Sequence, residues 1–202
     1  DHATVLTSRD GVAWNLEVVP EAATESILLG VGGTTNLLVA VGNHGRLLTS
    51  HNSWTNVVTK NDLGQAETNK VNTLGVVWEA VEPKPTENDL QGVAALGGTW
   101  VVTGGKGTVL TTGDGKQWTA HQAPVTGILT SVEAFGEQFV ATGEDGVILT
   151  SPDAVDWARR DSGTDHWIYR VRAFDGQLVA VGQAGTILTS GDGETWARRD
   201  SG

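Results

Sequence analysis

The stretch Leu178-Val-Ala-Val-Gly-Gln-Ala-Gly-Thr-Ile-Leu-Thr-Ser190 decides the fold, because it returns three more times, as Phe139 to Ser151, Trp100 to Thr112 and Leu38 to Ser50. The glycine that ends each apolar run marks the period. Gly104, Gly143 and Gly182 follow one another at 39 residues, whereas Gly42 and Gly104 lie 62 apart. One repeat therefore carries an insertion. Tryptophans keep the same step, with Trp118, Trp157 and Trp196 at intervals of 39 and Trp78 40 before Trp118. The chain opens on a partial copy, Ala3-Thr-Val-Leu-Thr-Ser8, which matches Gly185 to Ser190. A fixed period of this length is the mark of a repeat architecture, to be read before any single element.

The last repeat shows what each copy builds. Trp167 to Phe174 alternates apolar with polar residues, as a strand does, and Asp175-Gly176 supplies a tight hairpin turn. Leu178 to Val181 is a continuous apolar run, expected of a strand buried on both faces. Gly182-Gln-Ala-Gly185 forms a loop whose glycines tolerate positive φ, Thr186 to Thr189 is a third strand, and Gly191-Asp-Gly193 turns into a fourth, Thr195 to Arg199. No window holds a 3.6-residue apolar period. A β-helix coil is shorter than this repeat, and a sandwich does not repeat its sequence. Pro20, Pro83, Pro85, Pro124 and Pro152 all fall in loops or turns, as central strands require. The expected fold is all-β: a β-propeller of four-stranded antiparallel blades, with four complete repeats plus a half, five-bladed in total. It is read as one domain, with a half blade at 1–24 and blades at 25–86, 87–125, 126–164 and 165–202. Residues 55–77 are the insertion, either an extended loop or an extra strand pair.

Composition narrows the function. The 202 residues carry 13 Lys and Arg against 24 Asp and Glu, a net charge of -11, so a polyanion is repelled over most of the surface and nucleic acid is excluded as a partner. Without cysteine there is no disulfide, thiolate metal site or Cys nucleophile. No apolar run approaches the roughly 18 residues of a membrane span, and no signal-peptide pattern opens the chain. Methionine is absent even at position 1, from which a processed or excised piece is expected.

Each turn from third to fourth strand has the form Ser/Thr-x-Asp-Gly-x-x-Trp: Ser8 to Trp14 around Asp10, Thr112 to Trp118 around Asp114, and Ser190 to Trp196 around Asp192. In Ser151 to Trp157, around Asp153, alanine replaces the glycine. This pattern resembles the Asp-box, or bacterial neuraminidase repeat, of bacterial propellers that include secreted sialidases and photosystem II assembly-factor-like proteins; the spacing from Asp to Trp is one residue shorter here. The resemblance implies an outer-rim turn in which the carboxylate accepts backbone N–H groups and the Trp ring covers the hairpin. Asp10, Trp14, Asp114, Trp118, Asp153, Trp157, Asp192 and Trp196 are accordingly structural. Ser50-His-Asn52-Ser-Trp54 is a degenerate copy.

Sialidase chemistry would need an arginine cluster, a tyrosine nucleophile aided by a glutamate, and an acid/base carboxyl. The single tyrosine, Tyr169, lies in Tyr169-Arg-Val-Arg172, and its equivalents Thr130 to Glu133, Gln91 to Ala94 and Leu29 to Gly32 make it a first-strand residue. Arg159, Arg160, Arg198 and Arg199 are copies in fourth strands, where charge discourages edge pairing. No catalytic residue is assigned. His2, His44, His51, His121 and His166 never reach metal-ligand spacing, and no phosphate or calcium loop is present, so no metal and no cofactor are expected.

A propeller places its second-to-third-strand loops and its blade linkers on one face, around the channel mouth. The loop tips read Asp1-His2, Asn43-His44, Gly105-Lys106, Glu144-Asp145 and Gln183-Ala184, varying where the strands repeat. Candidate ligand-binding residues are thus His44, Lys106, Glu144, Asp145 and Gln183, with Trp167 at the entry to the last blade and Glu133 and Arg172 on the innermost strands. Gly32, Ala94, Glu133 and Arg172 are equivalent positions of the innermost strands, which predicts a Glu133 to Arg172 contact between adjacent blades in a partly polar channel. The expected function is a non-catalytic binding or assembly module with a protein or glycan partner, exported to the periplasm, cell surface or medium of a bacterium. The alternative is a sialidase-like glycoside hydrolase or a carbohydrate-binding domain of a secreted enzyme. Because the chain begins at a third strand, the fifth blade is expected either to remain half a sheet, an open edge suited to strand exchange or oligomerisation, or to take its missing strands from the insertion, another chain or sequence beyond these 202 residues.

Overall fold

A computed structural model of the chain describes residues 3–8, 10–60, 64–74 and 77–200. Its opening half blade is β1 (Val5–Thr7) paired with β2 (Asn15–Glu17). Blade 1 is β3 (Leu28–Gly33), β4 (Leu37–Gly42), β5 (Leu47–His51) and β8 (Glu79–Ala80), interrupted by the hairpin β6 (Trp54–Lys60) and β7 (Ala66–Asn72). Blade 2 is β9 (Leu90–Leu96), β10 (Thr99–Gly104), β11 (Thr108–Thr112) and β12 (Thr119–Gln122). Blade 3 is β13 (Leu129–Phe135), β14 (Gln138–Gly143), β15 (Ile148–Ser151) and β16 (Ala158–Arg160), and blade 4 is β17 (Ile168–Phe174), β18 (Gln177–Gly182), β19 (Ile187–Ser190) and β20 (Ala197–Arg199). Every pairing within these sheets is antiparallel. The β-propeller of four-stranded blades, four complete and one half, is the fold. The inserted residues form a strand pair that joins no blade sheet among the described residues, with β6 paired with β7 from Trp54↔Asn72 to Lys60↔Ala66. Residues 61–63 and 75–76 of that insertion lie outside the described residues.

Cores form between blades. Val101 and Val109 of blade 2 pack with Leu129, Val132, Phe139 and Leu149 of blade 3, and Val140 and Ile148 of blade 3 pack with Ile168, Leu178 and Leu188 of blade 4. The β-branched residues of one blade thus meet the leucine side of the next. Each fully buried Leu, Ile, Val or Phe contributes about 1.5–3 kcal/mol, so a missing neighbour is costly. Blade 4 lacks a following neighbour among the described residues. Val179 is half-buried and Val181 is 42% exposed, while its equivalent Val41 is fully buried. The expectation that this run is buried on both faces fails here, because the covering sheet is what buries the second face. Trp14 is likewise exposed in the half blade.

In each second-to-third-strand loop the positive φ falls on the later glycine, at 45, 107, 146 and 185, while the glycines at 42, 104, 143 and 182 hold extended backbone. A Cβ there would lie 2.1–2.2 Å from the carbonyl oxygens of Ile27, Asp89, Ile128 and Trp167, so the first strand crosses too closely for any side chain. The fourth strand of blade 4 begins at Ala197, later than predicted, because the N–H groups of Glu194 and Thr195 are committed to Asp192.

Candidate functional site

The loops from second to third strand are two-residue turns with positive φ at both central positions: His44 and Gly45, Lys106 and Gly107, Asp145 and Gly146, Ala184 and Gly185. Such turns match the twist of the flanking strands. Since a glycine follows, each tip exposes one side chain at its apex, and the four differ: imidazole, ammonium, carboxylate and methyl. The tip Asp1-His2 lies outside the described residues.

Neighbouring groups hold these tips. The His44 N–H donates to Asp89 Oδ1 at 2.8 Å, and Lys84 Nζ donates to the His44 carbonyl at 3.0 Å. Gln122 Nε2 donates to the Lys106 carbonyl at 2.8 Å. Glu144 turns inward, where Oε2 accepts the Ile128 N–H at 2.8 Å, the same bond that Asn43 makes with Ile27. Glu144 is therefore committed to the fold. The Gln183 N–H donates to the Trp167 carbonyl, and its side chain is exposed. Two depressions open on this face, one of about 280 Å³ between Glu144, Asp145, Arg159 and the linker at 124–128, the other of about 490 Å³ beside Lys106 and Pro124.

The inner strands pack side by side in the order β3, β9, β13 and β17. Arg172 Nη1 donates to Glu133 Oε2 at 3.0 Å, the contact expected between adjacent blades. Burial pushes the Glu133 carboxyl above its ordinary range, and Arg172 only partly offsets this. Trp167 and Tyr169 form a tilted ring pair with centroids 6.2 Å apart at the tip-side end of β17.

One residue of this face escaped the sequence reading. Arg170 is exposed, and its guanidinium reaches the carbonyls of Thr130 on β13, at 3.4 Å, and Leu29 on β3, at 3.5 Å. Its equivalents by register are Gly30, Gly92 and Ser131. A break in a series of small residues was the available signal.

The tryptophan turns are built alike. The carboxylates of Asp10, Asp114, Asp153 and Asp192 each accept two backbone N–H groups at 2.8–3.0 Å and a Ser or Thr hydroxyl, while the Trp indole donates to the carbonyl three residues earlier. These bonds hold all four carboxyls below the ordinary range, that of Asp192 at about 2, through the N–H groups of Thr195 and Glu194. Among the described residues no group of three or more His, Asp or Glu converges as a metal site. His121 and His166 bond separately to Thr111 and Thr186.

Among solved structures, the chain is similar to YCF48 bound to D1 peptide, with a TM-score of 0.61 and 18% identity over 86% of this chain and 55% of that one. It is similar to YCF48 from Cyanidioschyzon merolae, with a TM-score of 0.60 and 16% identity over 87% and 56%, and to the computationally designed Ika8 protein, with 0.53 and 12% over 89% and 63%. The chain thus spans a little over half the length of the YCF48 structures, and at these identities the likeness is one of fold. No curated protein sequence matches. Residues 73–201 match the family described as the DUF6242 beta propeller domain, and with over half of the chain matched, the protein belongs to that family.

Proposed function

We propose that this propeller is a non-catalytic protein-binding module that receives a partner segment at the channel mouth. The observation that carries the reading is the cluster at the start of β17, where Trp167, just before the strand, and Tyr169 pair their rings and Arg170 and Arg172 stand exposed along it. Trp, Tyr and Arg are the residue types that dominate binding energy at protein interfaces. The tips add Lys106, Asp145, His44 and Gln183 as variable contacts on a repeated frame. A propeller of similar fold, YCF48, has been seen with a peptide bound. Glycan cleavage finds less support, because Glu133 is engaged by Arg172 and Glu144 by the backbone of Ile128.

A photo-crosslinking amino acid at Tyr169, compared with one at the rim residue Val12, tests this reading in an extract of the source cells. Discrete protein adducts at Tyr169 that vanish with Arg170→Ala and Arg172→Ala are expected. Equal labelling at both positions, or binding only on a glycan array, overturns it.

A further inference from the structure

We infer that Asp175 is a modification site, where the chain converts spontaneously to isoaspartate, because the fold leaves its reacting groups free and restrains those of every other Asp-Gly pair. The pairs are Asp10-Gly11, Asp114-Gly115, Asp145-Gly146, Asp175-Gly176 and Asp192-Gly193. In each, the main-chain nitrogen of the glycine can bond to Cγ of the protonated aspartic acid, while the carboxyl hydroxyl leaves with the amide proton as water. Water then opens either carbonyl of the five-membered imide, which restores aspartate or leaves the main chain running through Cβ. Glycine favours the first step because no side chain shields its nitrogen. Water is the sole co-reactant.

Four of the pairs are held. The N–H groups of Gly11, Gly115 and Gly193 donate to the hydroxyls of Ser8, Thr112 and Ser190 at 2.8–3.0 Å, which engages the attacking nitrogen. The partner carboxylates accept two further N–H groups each, and these bonds favour the ionised form, which has no hydroxyl to lose. Asp145 is exposed, but Gly146 is buried and a Cβ on it would collide with the Thr164 carbonyl, so the peptide between them is fixed in place. Asp175-Gly176 has none of these restraints. Both residues are exposed, a Cβ on Gly176 would meet nothing, and among the described residues neither the Asp175 carboxylate nor the Gly176 N–H makes a hydrogen bond. The exposure is a property of the tip itself. Gly97-Gly98 in blade 2 and Gly136-Glu137 in blade 3, the equivalent turns, are exposed with a blade on either side. The turn closes β17 to β18 at the end away from Trp167 and Tyr169, so the site is independent of the channel mouth. Isoaspartate there adds one main-chain carbon to a two-residue turn and loosens the Phe174↔Gln177 pairing.

The test incubates the 202-residue chain in oxygen-18 water at mildly acidic pH, folded and in urea, and maps isoaspartate by mass spectrometry with electron-transfer fragmentation. In the folded chain isoaspartate should form at Asp175 about tenfold or more faster than at Asp10, Asp114, Asp145 or Asp192, and should carry the labelled oxygen. In urea the five rates should converge, and Asp175→Glu, which would need a six-membered ring, should remove the reaction at that position. Equal rates at Asp114 or Asp192 in the folded chain, or no isoaspartate at Asp175, overturn the assignment. So does a lead for Asp175 that persists undiminished in urea, which would place the selectivity in the neighbouring sequence and not in the fold.

Discussion

Arg172 and Glu133 join the inner strands of blades 4 and 3 by a 3.0 Å ion pair, yet the carboxyl titrates above its ordinary range. Desolvation outweighs the guanidinium, so the folded protein binds the Glu133 proton more tightly than the unfolded chain does. Stability from this group is then present at low pH and falls as pH rises past the ordinary glutamate range. Glu133→Gln should melt higher than the parent at pH 7 and converge with it near pH 4. Arg172→Ala removes the offsetting charge and should melt lower at pH 7. Thermal melts across that range check both signs.

The tryptophan turns have the opposite dependence. The Asp192 carboxyl, at about 2 in the fold, contributes stability above the ordinary aspartate value that is lost as pH falls toward 2. Asp192→Asn should melt below the parent at pH 7, with the gap closing as the pH approaches 2. A constant gap would show that the charge is not what the turn uses.

Two buried hydroxyls, Thr103 Oγ1 and Thr142 Oγ1, have no hydrogen-bond partner among the described residues. The same position is Val41 in blade 1 and Val181 in blade 4. Thr103→Val and Thr142→Val keep the shape and remove an unsatisfied group, so each should stabilise by about 1 kcal/mol. For a chain of this size that is roughly 2–4 °C in a thermal melt.

Gly146 and Gly176 both have positive φ, but a Cβ on Gly146 would meet the Thr164 carbonyl at 1.8 Å and one on Gly176 would meet nothing. Gly176→Ala should cost about 1–2 kcal/mol for the backbone conformation alone. Gly146→Ala should cost about 1–3 kcal/mol more through the clash. Denaturant melts of the two variants separate the contributions.

The β6–β7 hairpin rests on its own pairing, while Thr73 closes its base through bonds to the His51 and Ser53 carbonyls. Replacing Trp54 to Val71 with a direct joint should leave stability within about 0.5 kcal/mol, as for other surface changes. A larger loss would mean that the hairpin supports blade 1.

What the sequence determined by itself is everything that repeats. Period, strand alternation, the Asp and Trp turns and the Glu133 to Arg172 contact were legible because each follows from local chemistry or from equivalence between copies. Only the tertiary structure decided what depends on neighbours. Val181 reads like Val41, yet it is 42% exposed because no blade among the described residues covers it. Glu144 reads as an exposed tip residue, yet it turns inward to cap Ile128. Arg170 stands where Gly30, Gly92 and Ser131 stand, and bridges β13 and β3. Strand propensity is a property of a few residues in sequence, whereas burial and long side-chain reach are set by which sheet lies opposite. That is why the blades were readable in one dimension and the exposure of Val181 was not.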